Sequence, residues 1–463
     1  MHDIFGLRTL ILTGTALLAL SAISPISAES LNDAFASAYH NNSTLEAERA
    51  RQRATDEEVP QALSGWRPTV TATATQGHQI SSNRTSTANG GIKTYDESNP
   101  GSLQITLNQP IFRGFKTVEG TAQAEAIVRA GRQQLLAVEQ TTLFNAVQAY
   151  MNVVQARQIL ALRQKNVKVL QSQLNASDAR FKVGELTRTD VAQSRASLNG
   201  AQGQVAMALA NVKAAEANYR TVVGHMPGKL AMARMAPRPK SLESAYSIAQ
   251  QTNPSILAAA QTQDASEHNI NVQFGDLLPT VDLQASATTA WDQTGAGSSS
   301  SRAIIQGVVT VPIYEQGLRY SLVRQAKETA SQNRIQVISA VRSVRESVTI
   351  AWNNIIATGQ NLSAARAQVA ATRLALNGVR QEYQVGSRST IDVLNGEQSL
   401  VNGQISEVEA QHDELVASYQ LLQTMGRLTA RNLGVTGIYD VKEHYNDVRN
   451  KWIGLDAETG ESH

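Results

Sequence analysis

An internal duplication limits what this chain can fold into more than any other feature. Ser30-Leu31-Asn32-Asp33-Ala34 returns as Ser241-Leu242-Glu243-Ser244-Ala245, and Arg67-Pro68-Thr69-Val70 as Leu278-Pro279-Thr280-Val281, both at an offset of 211. Asn108-Gln109-Pro110-Ile111-Phe112 returns as Thr310-Val311-Pro312-Ile313-Tyr314 at an offset of 202. At the same offset, Phe181-Lys182-Val183-Gly184 with Thr189-Asp190-Val191 returns as Tyr383-Gln384-Val385-Gly386 with Ile391-Asp392-Val393. One unit used twice implies two similar halves. The fall from 211 to 202 places a nine-residue length difference at 81–100 against 292–301. Both stretches are rich in Ser, Thr, Gly and Asn and read as loops joining strands.

The segments around those loops alternate. Val281, Leu283, Ala285, Ala287 and Trp291 share one face, and Asp282, Gln284, Ser286 and Thr288 the other. Ile305, Gly307, Val309 and Val311 repeat the pattern, as do Val70, Ala72 and Ala74 and then Leu103, Ile105 and Leu107. Strand pairs are expected at 67–80/101–113 and 279–291/303–314, near the length that crosses a bilayer as a tilted strand. Pro110 and Pro312 close them, each followed by an aromatic residue, Phe112 or Tyr314, at the level of an interfacial girdle. The same prolines also suit edge strands of a soluble sandwich.

Helices fill the rest. No proline falls between Pro110 and Pro227, or after Pro312. A seam of Leu143, Val147, Tyr150 and Val154 lies in a helix over 115–181, and one of Val337, Val341, Val344, Val348, Trp352 and Ile355 in a helix over 317–383. Each would extend about 100 Å, a length that suits coiled coils rather than a globule. Gly184 and Gly386 end these runs, and polar residues then open returning helices, giving tight tips at 182–190 and 384–392.

The chain begins as an export signal, with Arg8 ahead of an apolar run over 10–23 and a small-residue exit at Ser27-Ala28. Residues 1–28 are expected to be removed. The run is shorter than the roughly 20 residues of a membrane helix, which disfavours an uncleaved anchor. The organisation read from the sequence is signal 1–28, first copy 29–240, second copy 241–435 and polar tail 436–463, with the end beyond Asp440 expected to be disordered. The absence of cysteine rules out disulfides and thiolate chemistry, and a net charge of +2 leaves no footprint for nucleic acid. No phosphate loop, zinc helix or nucleophile elbow is present, and the eight histidines lack ligand spacing, so no catalysis, cofactor or metal is expected.

Four strands cannot close a barrel in lipid, where an open edge is intolerable, so subunits must share one. Two chains would give a barrel filled by side chains, whereas three give 12 strands and a lumen. The expected fold is a mixed all-α/β membrane protein, a trimer-shared 12-stranded β-barrel continued by a long periplasmic α-helical barrel. A secreted structural coiled-coil protein, a filament or scaffold, shares the composition but has no use for bilayer-length hairpins.

The duplication, the proline-flanked strand pairs, the long helices and both Val-Gly…Asp-Val tips resemble the TolC-type outer-membrane efflux proteins over essentially residues 29–435. The resemblance implies an exit duct of a tripartite efflux or type I secretion system, carrying drugs, toxic amphiphiles or proteins from periplasm to exterior. Its partners would be two further copies, a periplasmic adaptor, a proton-driven or ATP-driven inner-membrane transporter and outer-membrane lipid. It further implies a periplasmic gate in which Thr189 and Asp190 accept from Tyr383 and Arg388, although Asp190 also suits a helix cap. Asp392 matches a constriction carboxylate or, equally, a cap. One turn on, Asn395 stands where a second carboxylate ring occurs. Val183, Gly184, Glu185 and Leu186, with Val385, Gly386, Ser387 and Arg388, match the adaptor-docking edge or serve only as helix stops. Residues 223–240 and 433–463 resemble a belt around the tube.

Overall fold

The computed structural model describes residues 28–456 apart from Asn89 and Ala296. The expected signal over 1–28 therefore lies, Ala28 excepted, outside the described residues. In the first copy, α1 (Leu31–Asn41), α2 (Ser43–Asp56) and α3 (Glu58–Leu63) lead to β1 (Thr69–Gln76), β2 (Gln79–Thr87), β3 (Gly90–Ser98) and β4 (Gly101–Arg113). These are followed by α4 (Lys116–Lys182) and α5 (Arg188–Val223). The second copy runs α6 (Leu242–Thr252), α7 (Pro254–Gly275), β5 (Thr280–Trp291), β6 (Ser299–Thr310), α8 (Leu318–Gln384) and α9 (Thr390–Thr424), and α10 (Glu443–Val448) ends the chain's regular structure among the described residues.

The leading helix of each copy breaks at an asparagine, at positions 211 apart. Asn42 accepts from the Thr44 amide at 3.0 Å and Asn253 from the Ser255 amide at 2.9 Å, so each caps the helix it opens. Each also donates its side-chain amide across the bundle, Asn42 to the Val222 carbonyl and Asn253 to the Thr424 carbonyl. The break is thus tied to the end of the same copy's returning helix.

Four strands form one antiparallel sheet in the order β1-β4-β5-β6, which leaves β1 and β6 as free edges. The register aligns Val70 with Leu107, Ala72 with Ile105, Ile105 with Ala287, Ala285 with Ile305 and Val281 with Val309, so the alternation of four strands merges into one continuous apolar face. A register shift between Pro110 and Phe112 accommodates the proline in β4. The expected loop over 81–100 is corrected: most of it is a second ribbon, in which β2 pairs with β3 from Gln79↔Ser98 to Thr87↔Gly90. Its sequence is largely polar on both faces and carries no alternation, so backbone pairing builds the strands. The Gly77 amide donates to the Pro100 carbonyl at 2.8 Å and joins the two ribbons.

Helices α4 and α8 contain 67 residues each, a length of about 100 Å. No helix among the described residues is long and apolar enough to cross a membrane. The main core lies midway along the long helices, where Phe35, Leu143, Tyr150, Tyr219, Val348, Leu421 and Leu428 pack together. Residues 224–241 cross this level with almost no regular structure. The Tyr150 hydroxyl sits between the carbonyls of Glu29 (2.8 Å) and Ala231 (2.6 Å), sharing its one proton between them, and burial pushes its pKa up to about 12. The expectation of disorder beyond Asp440 is also corrected for the described residues. There α10 packs Tyr445 against Val59, Ala124 and Val128, because aromatic residues interrupt the polar composition.

Candidate functional site

The two tips lie at the far ends of α4 and α8, opposite the sheet. Each long helix stops through a glycine in the left-handed region, with φ of +81° at both Gly184 and Gly386. At the first tip, Gly184 N donates to Phe181 O (3.0 Å) and Glu185 N to Arg180 O (2.9 Å). At the second, Gly386 N donates to Tyr383 O (3.1 Å) and Ser387 N to Glu382 O (2.9 Å). These paired bonds satisfy carbonyls that the helix end would otherwise strand. Val183 and Val385, one residue earlier, are 72% and 81% exposed at the tube's extremity. Glu185, Ser387 and Arg388 are exposed beside them, and Leu186 is half-buried.

The returning helices begin with reciprocal caps. The Asp190 carboxylate accepts from Thr187 N (3.0 Å) and Thr187 Oγ1 (2.7 Å), and that of Asp392 from Ser389 N (3.0 Å) and Ser389 Oγ (2.7 Å). These bonds hold both carboxyls below the usual carboxylate range. Thr390's hydroxyl helps at Asp190, and the charge of Arg388 helps at Asp392. Thr189 lies on the first turn of α5 and Asn395 on the second turn of α9, and both are exposed.

Within one protomer the structure does not bring Arg388 or Tyr383 onto Asp190. Arg388 Nε donates to Glu382 Oε2 at 2.7 Å, which closes the second tip on itself and raises the guanidinium's pKa. The Tyr383 hydroxyl lies 3.4 Å from Thr390 Oγ1, while the Arg180 guanidinium of the first hairpin sits 5.0 Å from the Tyr383 ring centroid. Arg180, Glu382 and the buried Thr390 are therefore the link residues that sequence reasoning missed. The 202-residue offset could have flagged them, since Arg180 and Glu382 are equivalent positions of opposite charge. Above this link the two hairpins enclose a groove of about 510 Å³ lined by Lys165, Lys168, Arg180 and Arg380. Arg380 Nε is held on the buried Glu397 at 3.0 Å.

The geometry is that of two similar hairpin ends, in which the hydroxyl–carboxylate pairs serve as helix caps. Among the described residues no group of acidic and histidine side chains is placed to hold a metal ion.

The profile of the outer membrane efflux protein family matches residues 35–225 and 245–427, one match on each copy. The outer membrane efflux protein BepC of Brucella suis is 41% identical over 456 residues, spanning 97% of this chain and 96% of that protein. The outer membrane protein TolC of Escherichia coli is 27% identical over 91% of this chain and 87% of its own length. Among solved structures, the Campylobacter jejuni CmeC outer membrane channel superposes with a TM-score of 0.74 at 16% identity, covering 91% of this chain and 89% of that one.

Proposed function

The chain belongs to the outer membrane efflux protein family, and from that premise we propose that it is the exit duct of a tripartite efflux or type I secretion machine. The observation that carries this is the sheet, which has one continuous apolar face, two free edges and two helices of about 100 Å leaving the same end. In lipid both edges must be paired, so β6 of each protomer joins β1 of the next, and three protomers make a 12-stranded barrel in the outer membrane. Thr71, Thr106, Gln104, Gln284 and Thr288 then face a polar lumen, and the helices form a periplasmic tube. Members of the family are channels rather than enzymes. Transport through such a duct is passive, and the driving force comes from an inner-membrane transporter joined by a periplasmic adaptor.

The tips are the natural place for docking and gating. Val183, Gly184, Glu185 and Leu186, with Val385, Gly386, Ser387 and Arg388, offer the exposed edge to the adaptor. Thr189, Asp190, Tyr383 and Arg388 form the gate when neighbouring hairpins converge. In a trimer three Asp392 carboxylates surround the axis, and Asn395 leaves the next turn uncharged, so the constriction attracts cations but holds them less tightly than two acidic rings would. Efflux is favoured over protein secretion, because the 41%-identical relative is named for efflux.

Outer-membrane fractionation with the particle's mass in detergent tests the reading. The expected result is a heat-modifiable trimer in the outer membrane, and a soluble periplasmic species would overturn it.

A further inference from the structure

Joining β6 of one protomer to β1 of the next decides what lies beside what at the seam. The strands alternate in direction, so the first residue of β1, Thr69, and the last of β6, Thr310, lie at the same end of the sheet, where the long helices depart. At that end both edges carry apolar side chains that their own protomer leaves exposed. On the β6 side Ile313 is 91% and Tyr314 77% exposed. On the β1 side the neighbouring residues come from the other end of the chain. Arg67, two residues before β1, donates from Nη1 to the Lys451 carbonyl at 2.9 Å, and its guanidinium lies 4.9 Å from the Trp452 ring centroid. Trp452 is nevertheless 67% exposed, Ile453 92% and Leu455 fully.

This strap is held in place rather than left loose. Tyr445 Oη and Arg449 Nη2 both donate to Glu125 Oε1, at 3.3 and 2.9 Å, and His444 Nδ1 lies 3.7 Å from the buried Asp56 Oδ2. Three large apolar side chains exposed to water on an anchored segment cost free energy unless something covers them. We propose that the strap is an intersubunit clasp, in which Trp452, Ile453 and Leu455 of one protomer cover Ile313 and Tyr314 of its neighbour at the periplasmic rim of the barrel. The inference rests on the shared-barrel reading, because only the β6–β1 seam brings the two exposed sets together. A second copy is the occupant because the seam continues directly into the patch. The cation–π contact with Arg67 orients the indole but leaves most of its surface for the neighbour.

The chain has no cysteine, so an introduced pair supplies the only thiols. Full-length Ile313→Cys/Ile453→Cys trimers treated with a short bismaleimide are expected to become covalent trimers on denaturing gels. Thr69→Cys/Thr310→Cys reports on the strand seam itself and is expected to link as well. Linkage of the strand pair without the strap pair overturns the clasp and leaves the shared barrel standing, whereas linkage of neither overturns both. A full-length Trp452→Ala/Ile453→Ser/Leu455→Ser variant is expected to dissociate to monomer at a lower temperature in detergent, and an unchanged dissociation temperature counts against the clasp. Strong quenching of Trp452 emission by brominated phospholipid, with the strap pair unlinked, would assign the patch to the bilayer and overturn the proposal.

Discussion

At the first tip Phe181 and Leu186 occupy the places that Tyr383 and Arg388 hold at the second, 202 residues on, although glycine conformation, helix-stop bonds and capping carboxylates are the same at both. The backbone of a tight helix hairpin has few solutions, and both copies use the same one. The side chains are free of that constraint and have diverged. The first tip presents Phe181, Val183 and Leu186, whereas the second carries the Arg388–Glu382 ion pair and the Tyr383–Thr390 contact and receives Arg180 from the first. Shared backbone and separate chemistry therefore predict equal responses to some substitutions and unequal responses to others.

The largest effect is expected where the tips are alike. Space is no obstacle at Gly184 or Gly386, since nothing lies within 4 Å of an added Cβ. The obstacle is the left-handed backbone, which costs an L-residue about 1–2 kcal/mol and a β-branched one more. Gly184→Val with Gly386→Val should reduce drug resistance to the level of a strain lacking the channel while trimers persist in the outer membrane. Resistance retained in that variant would remove the tips from the docking role.

A smaller effect is expected where the tips differ. Arg388→Ser with Tyr383→Phe should raise single-channel conductance in planar bilayers, because the second tip loses its ion pair and its hydroxyl contact together. Leu186→Ser with Phe181→Leu, the equivalent change at the first tip, should leave conductance near wild type. Equal increases from both pairs would mean that the asymmetry does not serve the gate.

The smallest effect returns to what is shared. Thr187→Ala should cost about 1 kcal/mol locally through its lost cap and speed amide exchange in the first turn of α5. Ser389→Ala should act likewise on α9. Both capping carboxyls have pKa values lowered by folding, so their contribution is present above the unfolded value of about 3.9 and is lost as pH falls through the folded value. The exchange difference between wild type and either variant should shrink on acidification below that range, equally at the two tips. A difference that persists there would separate the cap from the carboxylate.

Much of the architecture was legible along the chain. The two offsets give the duplication, alternation of Val70, Ala72 and Ala74 against threonines gives a membrane strand, and the proline-free stretches give the long helices. Gly184 and Gly386 mark turns because few other residues accept a φ of +81°. The β2–β3 ribbon was not legible. Its residues are largely polar on both faces, and pairing through backbone groups leaves no trace in side-chain periodicity. The resemblance pointed to the gate residues but not to their partners within the protomer, since Arg388 can reach either Glu382 or a carboxylate on another hairpin, and spacing does not distinguish them.

The sequence by itself determined the repeating unit, the type and length of most of its elements and the positions of its stops, because periodicity, proline exclusion and glycine conformation act over a few residues. Only the tertiary structure decided that β4 lies against β5, that Thr390 and Arg180 meet Tyr383, and that residues 449–455 return to the base of β1. Those contacts join residues far apart in the chain, or side chains with several reachable partners. Which contact forms depends on the packing of whole helices and strands, which no local pattern encodes.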